Sequence, residues 1–257
     1  MRIAALQMQA LAGDTEANLA RIERAARAAA EKGADLLIAP ELAVTGYGAG
    51  ATIHKLAEPA NGAIVARLQA MATENAIAII AGFAETAGDS VYNSAVFTDG
   101  TREPTVYRKS HLYGPYERDL FVPERPSAVV VEHGGMKIGM LICYDVEFPE
   151  NVRRLAKSGA TLIAVPTALP ASDHAAFIAR QMISVRAFEN QVFVAYVNHC
   201  GRDPLYAYAG LSAIAAPDGS LLAEAGVEAE ALVFADIRPV DFTASAEQNT
   251  YLRDLVT

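Results

Sequence analysis

The chain is poor in the residues that build metal centres and disulfide frameworks. Its 257 residues include two cysteines, Cys143 and Cys200, and five scattered histidines, His54, His111, His133, His174 and His199. None of these spacings suits a metal site, and paired-cysteine scaffolds belong to small secreted chains, so a reducing compartment is expected. Positive charge is also in the minority: 21 Lys and Arg against 30 Asp and Glu give a net charge of −9. That balance argues against a nucleic-acid backbone or an anionic membrane as partner. No uncharged apolar run approaches the length of a membrane span. The start, Met1-Arg2-Ile3-Ala4-Ala5-Leu6-Gln7, carries no long apolar region or signal-cleavage pattern, so a cytoplasmic, soluble protein is expected.

What is present in quantity is apolar sequence, 52% of the chain. That suffices for the core of one large domain over 1–257. The pattern alternates strands and helices. Strands are expected at 2–8, 35–39, 77–83, 91–98, 103–108, 128–132, 137–142, 161–166, 192–197, on either side of Asp218-Gly219, and at 232–237. Helices are expected from Asp14 as N-cap to about Lys32, from Asn61 to Asn75, from Pro149 to Gly159, and from His174 to Asn190. Residues 110–127 read as one long loop, and 239–257 as a tail that packs on a partner.

A weak internal repeat organises these elements. Met1-Arg2-Ile3-Ala4-Ala5-Leu6 parallels Met136-Lys137-Ile138-Gly139-Met140-Leu141, and the run from Gly33 to Pro40 parallels that from Gly159 to Pro166. Two β-α-β halves whose sheets pack face to face, with helices outside, would bury both sheets on both faces, which suits nearly continuous apolar strands. Such an α/β sandwich of four layers, α-β-β-α, would gather Glu41 and Cys143, each at a strand's C-terminal end, at one rim.

Cys143 sits where a buried strand gives way to a chain heading for a helix that starts at Pro149. Free backbone N–H groups and the local field at such a place favour a thiolate, and the thiolate is the nucleophile. A thiol attacking a carbonyl needs a base and a stabiliser for the oxyanion. Glu41, held behind Pro40, is a candidate base. Lys109, closing a strand, could stabilise an oxyanion. Glu117, eight residues into the loop, could orient the lysine or the substrate. Each also has a plainer reading, since a lone cysteine in an apolar run is usually core and loop charges are usually solvated. Cys200 reads as structural, Asp145 as a cap for backbone amides, and His111 as a structural hydrogen-bonding residue. A Cys–His hydrolase pairing Cys143 with His111 or His199 remains open. The run Gly46-Tyr47-Gly48-Ala49-Gly50-Ala51 formally fits a dinucleotide fingerprint, but it stands six residues from the preceding strand with no acid at the expected distance.

Three blocks, Pro40-Glu41, Tyr107-Arg108-Lys109-Ser110-His111-Leu112 and Cys143-Tyr144-Asp145-Val146-Glu147-Phe148-Pro149-Glu150, together resemble the signature of the nitrilase superfamily of carbon–nitrogen hydrolases. Arg186–Asn190 and Asn198–Gly201 look like the family as well, and the resemblance runs to about residue 237. It implies Cys143 as nucleophile, Glu41 as general base, Lys109 and the Tyr144 N–H at the oxyanion, and Glu117 as a supporting second glutamate. It also implies a homodimer or higher homo-oligomer and no cofactor or metal, the partners of the chain being a small amide and water. Within the family the blocks at 141–151, 165–168, 193–196 and 214–217 look most like bacterial 5-aminopentanamidases, and the chain is shorter than those that true nitrilases resemble. Glu147, Tyr47, Tyr116 and Ala168 are the expected substrate contacts. Where Glu147 stands, members cleaving carboxylate-bearing amides often resemble one another in having arginine; a carboxylate there would favour an ammonium. A 2-substituted amide or the amide of a deaminated peptide is the alternative substrate.

Overall fold

The computed structural model describes residues 1–256. The first half runs β1 (Arg2–Gln7), α1 (Thr15–Glu31), β2 (Leu36–Ile38), α2 (Ile53–Leu56), α3 (Ala63–Asn75), β3 (Ala78–Ala87), β4 (Ser90–Thr98) and β5 (Thr105–Arg108). The second runs α4 (Gly114–Leu120), β6 (Val130–His133), β7 (Met136–Met140), α5 (Pro149–Lys157), β8 (Leu162–Thr167), α6 (Ile183–Asn190), β9 (Phe193–Asn198), β10 (Ala213–Ala215), β11 (Leu221–Glu224) and β12 (Ala231–Asp236). Two six-stranded sheets result, ordered β12-β1-β2-β3-β4-β5 and β11-β10-β9-β8-β7-β6. In each, three consecutive parallel strands are flanked by antiparallel ones.

The internal repeat is a structural one, down to the register. Ile3 pairs with Leu36 in the first sheet and Ile138 with Leu162 in the second. These are the third residues of the two parallel Met-led runs and the fourth of the two parallel Gly-Ala runs. Strand periodicity then sorts the side chains. Ile3, Ala5, Leu36, Ile38, Ala78 and Ile80 face the second sheet. Their neighbours Ala4, Leu37, Ala39, Ile79 and Ala81 face α1 and α3, meeting Leu19, Ile22, Ala26 and Leu68. Both faces of the sheet are dry, which is why the strands read as continuous apolar runs; a buried Leu or Ile there contributes about 1.5–3 kcal/mol. The four-layer sandwich expected from the sequence is what forms. Asp14 caps α1 as expected, its Oδ1 accepting from Ala17 N at 3.0 Å.

Four expectations need correction. The stretch 110–127 holds a helix, α4, which starts on Gly114 in the left-handed region (φ +65°) and Pro115, whose ring presets the first turn. The second long helix begins at Ala63; its first turn is capped from Glu58, whose Oε2 accepts from Ile64 N at 2.7 Å, rather than by Asn61. The helix expected from His174 to Asn190 forms over 175–190, but its winding widens to a π-turn over Phe177–Met182 before α6. The C-terminal segment packs on its own chain in part: the Phe242 ring meets Phe193 edge-on at 5.2 Å, and Ser245 Oγ donates to Gln191 Oε1 at 2.9 Å. Val240, Leu255 and Val256 in the same segment are exposed.

Candidate active site

The C-terminal ends of β2, β5 and β7 deliver Glu41, Lys109 and Cys143 to one rim. The turn after β2 lies directly on β3: Gly82 N donates to Pro40 O at 3.1 Å, and Val44 N donates to Gly82 O at 3.2 Å. A Cβ at residue 82 would sit 2.3 Å from Leu42 N and 2.7 Å from Glu41 Cα, so only glycine lets the Glu41 turn approach this closely. Leu42 itself is held at φ +47°, a strained conformation for a branched side chain. Backbone geometry therefore fixes Glu41 before any side chain touches it.

Glu41, Lys109 and Glu117 form a buried triad of charges. Lys109 Nζ donates to Glu41 Oε1 at 2.6 Å and to Glu117 Oε1 at 2.7 Å, and all three side chains are essentially sealed from solvent. Asn93 Nδ2 adds a second bond to Glu41 Oε1, at 2.7 Å. Glu41 Oε2 is buried and has no hydrogen-bond partner among the described residues. Glu117 is used up: Oε1 also accepts from Tyr47 OH at 2.9 Å, and Oε2 accepts from Tyr113 N at 2.9 Å. Burial alone would pull the lysine down, but Glu117 and Glu41 outweigh it and hold the ammonium well above its ordinary value. Burial pushes Glu117 up, against the pull of Lys109.

Cys143 opens a 3₁₀ turn, Cys143–Glu147, at φ +45°. Five residues separate it from the first residue of α5, so the helix N-terminus expected to ionise it is not beside it. The thiol is pushed well above its ordinary value, by burial first and by Glu41 next; Lys109 and a hydrogen bond from the Ala168 backbone oppose this only in part. At rest Cys143 carries a thiol, not the thiolate anticipated from the sequence. Tyr144 N–H lies in the first turn of this 3₁₀ segment, where it has no partner within the turn.

One carboxylate locks the cysteine turn to the lysine block. Asp145 Oδ1 accepts from Ser110 N, Ser110 Oγ and His111 N at 2.8–3.2 Å and faces His111 Nδ1 at 2.9 Å. Its Oδ2 accepts from Tyr107 OH at 2.9 Å and from Ile142 N at 3.2 Å. Asp145 is thus the amide cap expected of it, and His111, stacked on Phe148 at 4.0 Å, is structural. His199 is buried with Nε2 2.7 Å from Glu41 O and Nδ1 3.2 Å from Met8 O. Neither histidine is bonded to Cys143, which removes the geometric basis for a Cys–His pair.

Beside the thiol lies a cleft of about 360 Å³ lined by Tyr113, Cys143, Tyr144, Glu147, Leu169, Pro170, Ser172, His174 and Ile178. Glu147 is on this wall as expected. Its carboxylate makes no hydrogen bond among the described residues; only its backbone oxygen is engaged, by Arg186 Nη2 at 2.7 Å. Burial raises its carboxyl above the ordinary value, against Lys109 and Arg186. The other three expected substrate contacts are not among the residues lining this cleft. Tyr47 and Tyr116 stand behind Glu117, where Tyr116 OH donates to Tyr47 O, and Ala168 serves the cysteine. Missed in the sequence were Asn93, whose signal is only a polar residue inside an apolar strand, and Ile178, carried on the π-turn. Cys200 is structural, its N–H on Met8 O at 3.1 Å. Among the described residues no group of three or more His, Cys, Asp or Glu is arranged to hold a metal, and no helix is long and apolar enough to cross a membrane.

Comparison with known proteins agrees with this geometry. A hydrolase encoded in the pqqF 5′ region of Pseudomonas protegens is 40% identical over 99% of this chain and 88% of its own length. An (R)-stereoselective amidase of Pseudomonas sp. is 36% identical, covering 88% of this chain and 81% of its own. The solved amidase of Nesterenkonia sp. AN1 superposes with a TM-score of 0.88 at 36% identity, over 99% of this chain and 96% of that one; a variant of it shows covalent addition of the acetamide moiety of fluoroacetamide at its active-site cysteine. The carbon–nitrogen hydrolase family profile matches residues 2–247. With that match spanning nearly the whole chain, and with the thiol, carboxylates and lysine assembled at one rim, the protein belongs to the carbon–nitrogen hydrolases of the nitrilase superfamily.

Proposed function

We propose that the chain hydrolyses a small aliphatic primary carboxamide to the acid and ammonia through a thioester on Cys143. The observation that carries this is Glu41: Oε1 is pinned by Lys109 and Asn93 while the buried Oε2 is left without a partner. A buried carboxylate oxygen left unpaired is costly unless a proton donor arrives. As the Cys143 sulfur attacks the amide carbon, its proton passes to Glu41, so no free thiolate forms. The developing oxyanion is met by Lys109 Nζ, which has a third donor to spare, and by Tyr144 N–H. Collapse breaks the C–N bond and Glu41 returns the proton to the leaving ammonia. Water then gives its proton to Glu41 and attacks the thioester, and the acid leaves as the thiol re-forms. Glu117 holds the lysine throughout.

For the acyl group, the unpaired carboxylate of Glu147 on the cleft wall supports an amide with a distant ammonium, such as 5-aminopentanamide. The test is Glu147→Arg assayed with 5-aminopentanamide against 2-oxoglutaramate, the anionic substrate named for a Bacillus subtilis relative that is 35% identical. A shift of preference toward the anion, on the order of a hundredfold, supports the reading; an unchanged ratio refutes it. The apolar walls Leu169, Pro170 and Ile178 favour the second reading, a 2-substituted amide. The whole chain acts as a single domain in the cytoplasm, assembling as a homodimer or larger homo-oligomer.

A further inference from the structure

The glycine-rich run 46–51 has no part in the chemistry above, yet it is built to a tolerance. It forms a 3₁₀ turn, Tyr47–Thr52, and a carboxylate from the far half of the chain is lodged against it. Asp203, in the segment after β9, accepts from Gly48 N at Oδ2, 2.9 Å, and from Tyr208 OH at the same oxygen. Its Oδ1 accepts from Leu205 N and Tyr206 N, both at 2.8 Å. A Cβ at residue 48 would lie 2.2 Å from both carboxylate oxygens, so Asp203 occupies the space a side chain would need. The residue next to this contact is Tyr47, whose phenol donates to Glu117 Oε1, the oxygen that also receives Lys109 Nζ. Tyr47 is ringed by Tyr116, Tyr206 and Tyr208 at centroid distances of 5.3–6.3 Å, and Tyr116 is bonded to both Tyr47 O and Gly50 N. The phenol therefore moves only if the turn moves.

We propose that Asp203 is a positioning residue for the Lys109 ammonium, acting through Gly48, Tyr47 and Glu117. The assignment rests on the reading of Lys109 and Glu117 given above. A carboxylate reaching across from the second half sets the turn, the turn sets the phenol, and the phenol shares the glutamate oxygen that holds the ammonium at the oxyanion. Misplacing a reacting group by about 1 Å costs on the order of a hundredfold in rate, so a loosened turn is read in turnover rather than in substrate affinity.

The experiment uses the full chain and whichever of propionamide, butyramide and 5-aminopentanamide it hydrolyses fastest. Asp203→Asn keeps the volume but sets an amide NH₂ or a single shared oxygen against Gly48 N–H and Tyr208 OH. Its kcat falls about tenfold or more with KM within about twofold, as expected for losing a bond to a charged group in this chain. Tyr47→Phe gives a similar loss, and the double variant is little worse than the poorer single one, because both act on one linkage. Gly48→Ala, whose methyl displaces the carboxylate while leaving Asp203 itself unchanged, reproduces the kcat-selective loss and stands in if Asp203→Asn fails to fold. A wild-type kcat in Asp203→Asn or Gly48→Ala, a fall in thermal stability alone, or losses that multiply in the double variant overturn the assignment. Activity retained in Lys109→Met would instead overturn the reading of the site on which it rests.

Discussion

Lys109 Nζ lies 2.6 Å from Glu41 Oε1 with both side chains fully buried, and a second carboxylate, Glu117, stands 2.7 Å from the same nitrogen. One cation thus serves two anions away from water. The arrangement sets Glu41 and Lys109 side by side, and Glu41 Oε2 has no hydrogen-bond partner among the described residues. Buried pairs of this kind are weak evidence of stability, and breaking one is expensive, so their value here is in placing charge where the reaction needs it.

Lys109→Met leaves Glu41 and Glu117 buried without their counter-ion. The expected cost is about 3–5 kcal/mol of folding stability, together with loss of turnover. Denaturant unfolding of the variant checks the first and ammonia release the second. A variant as stable as the parent would contradict the burial and pairing described.

Glu41→Gln keeps the shape and removes the base. Turnover is expected to fall by about 10²–10⁴, with secondary structure intact by circular dichroism. Retention of most of the activity would point instead to a base elsewhere, His111 or His199 among the side chains weighed.

The thiol of Cys143 is raised above an ordinary value of 9.0. The neutral form therefore dominates at pH 7. Thiomethylation by methyl methanethiosulfonate, in which the thiolate takes the S-methyl group and methanesulfinate leaves, is expected to be slower than that of free cysteine at pH 7 and to rise only at a pH above that at which free cysteine ionises. Cys200, its thiol pushed up to about 11 by burial, is likewise neutral at pH 7. Mass spectrometry of the two peptides reads this out. An inflection for Cys143 below pH 7 would restore the preformed thiolate.

Asp145→Ala removes the acceptor shared by the Ser110, His111, Tyr107 and Ile142 donors. Several buried donors are orphaned at once, each costing about 1–3 kcal/mol. The expected result is a marked drop in thermal stability along with activity, measured by calorimetry; an unchanged melting temperature would contradict the cap.

The layers were legible because each rests on local pattern. Strand runs such as Asp35–Ala39 and Thr161–Pro166 are apolar on both faces only when helices cover the outside. Glu41, Lys109 and Cys143 stood out because their three blocks together resemble the family signature; position at a strand's C-terminal end left each with a plainer reading. Asn93, Asp203 and the partners of Tyr47 were not legible: each acts across |i−j| of tens to hundreds of residues, and one polar side chain in a strand or loop carries no mark of what lies opposite it. The ionisation state of Cys143 was misread for a related reason. Proximity to a coming helix is visible in sequence, whereas burial and the field of Glu41 are properties of the assembled site.

The most direct test is ammonia release from 5-aminopentanamide and a panel of short primary amides by the purified chain, with Cys143→Ala as the blank. The account predicts release from at least one of these amides that disappears in the blank. Folded protein that releases no ammonia from any of them, or release that persists in Cys143→Ala, would contradict it.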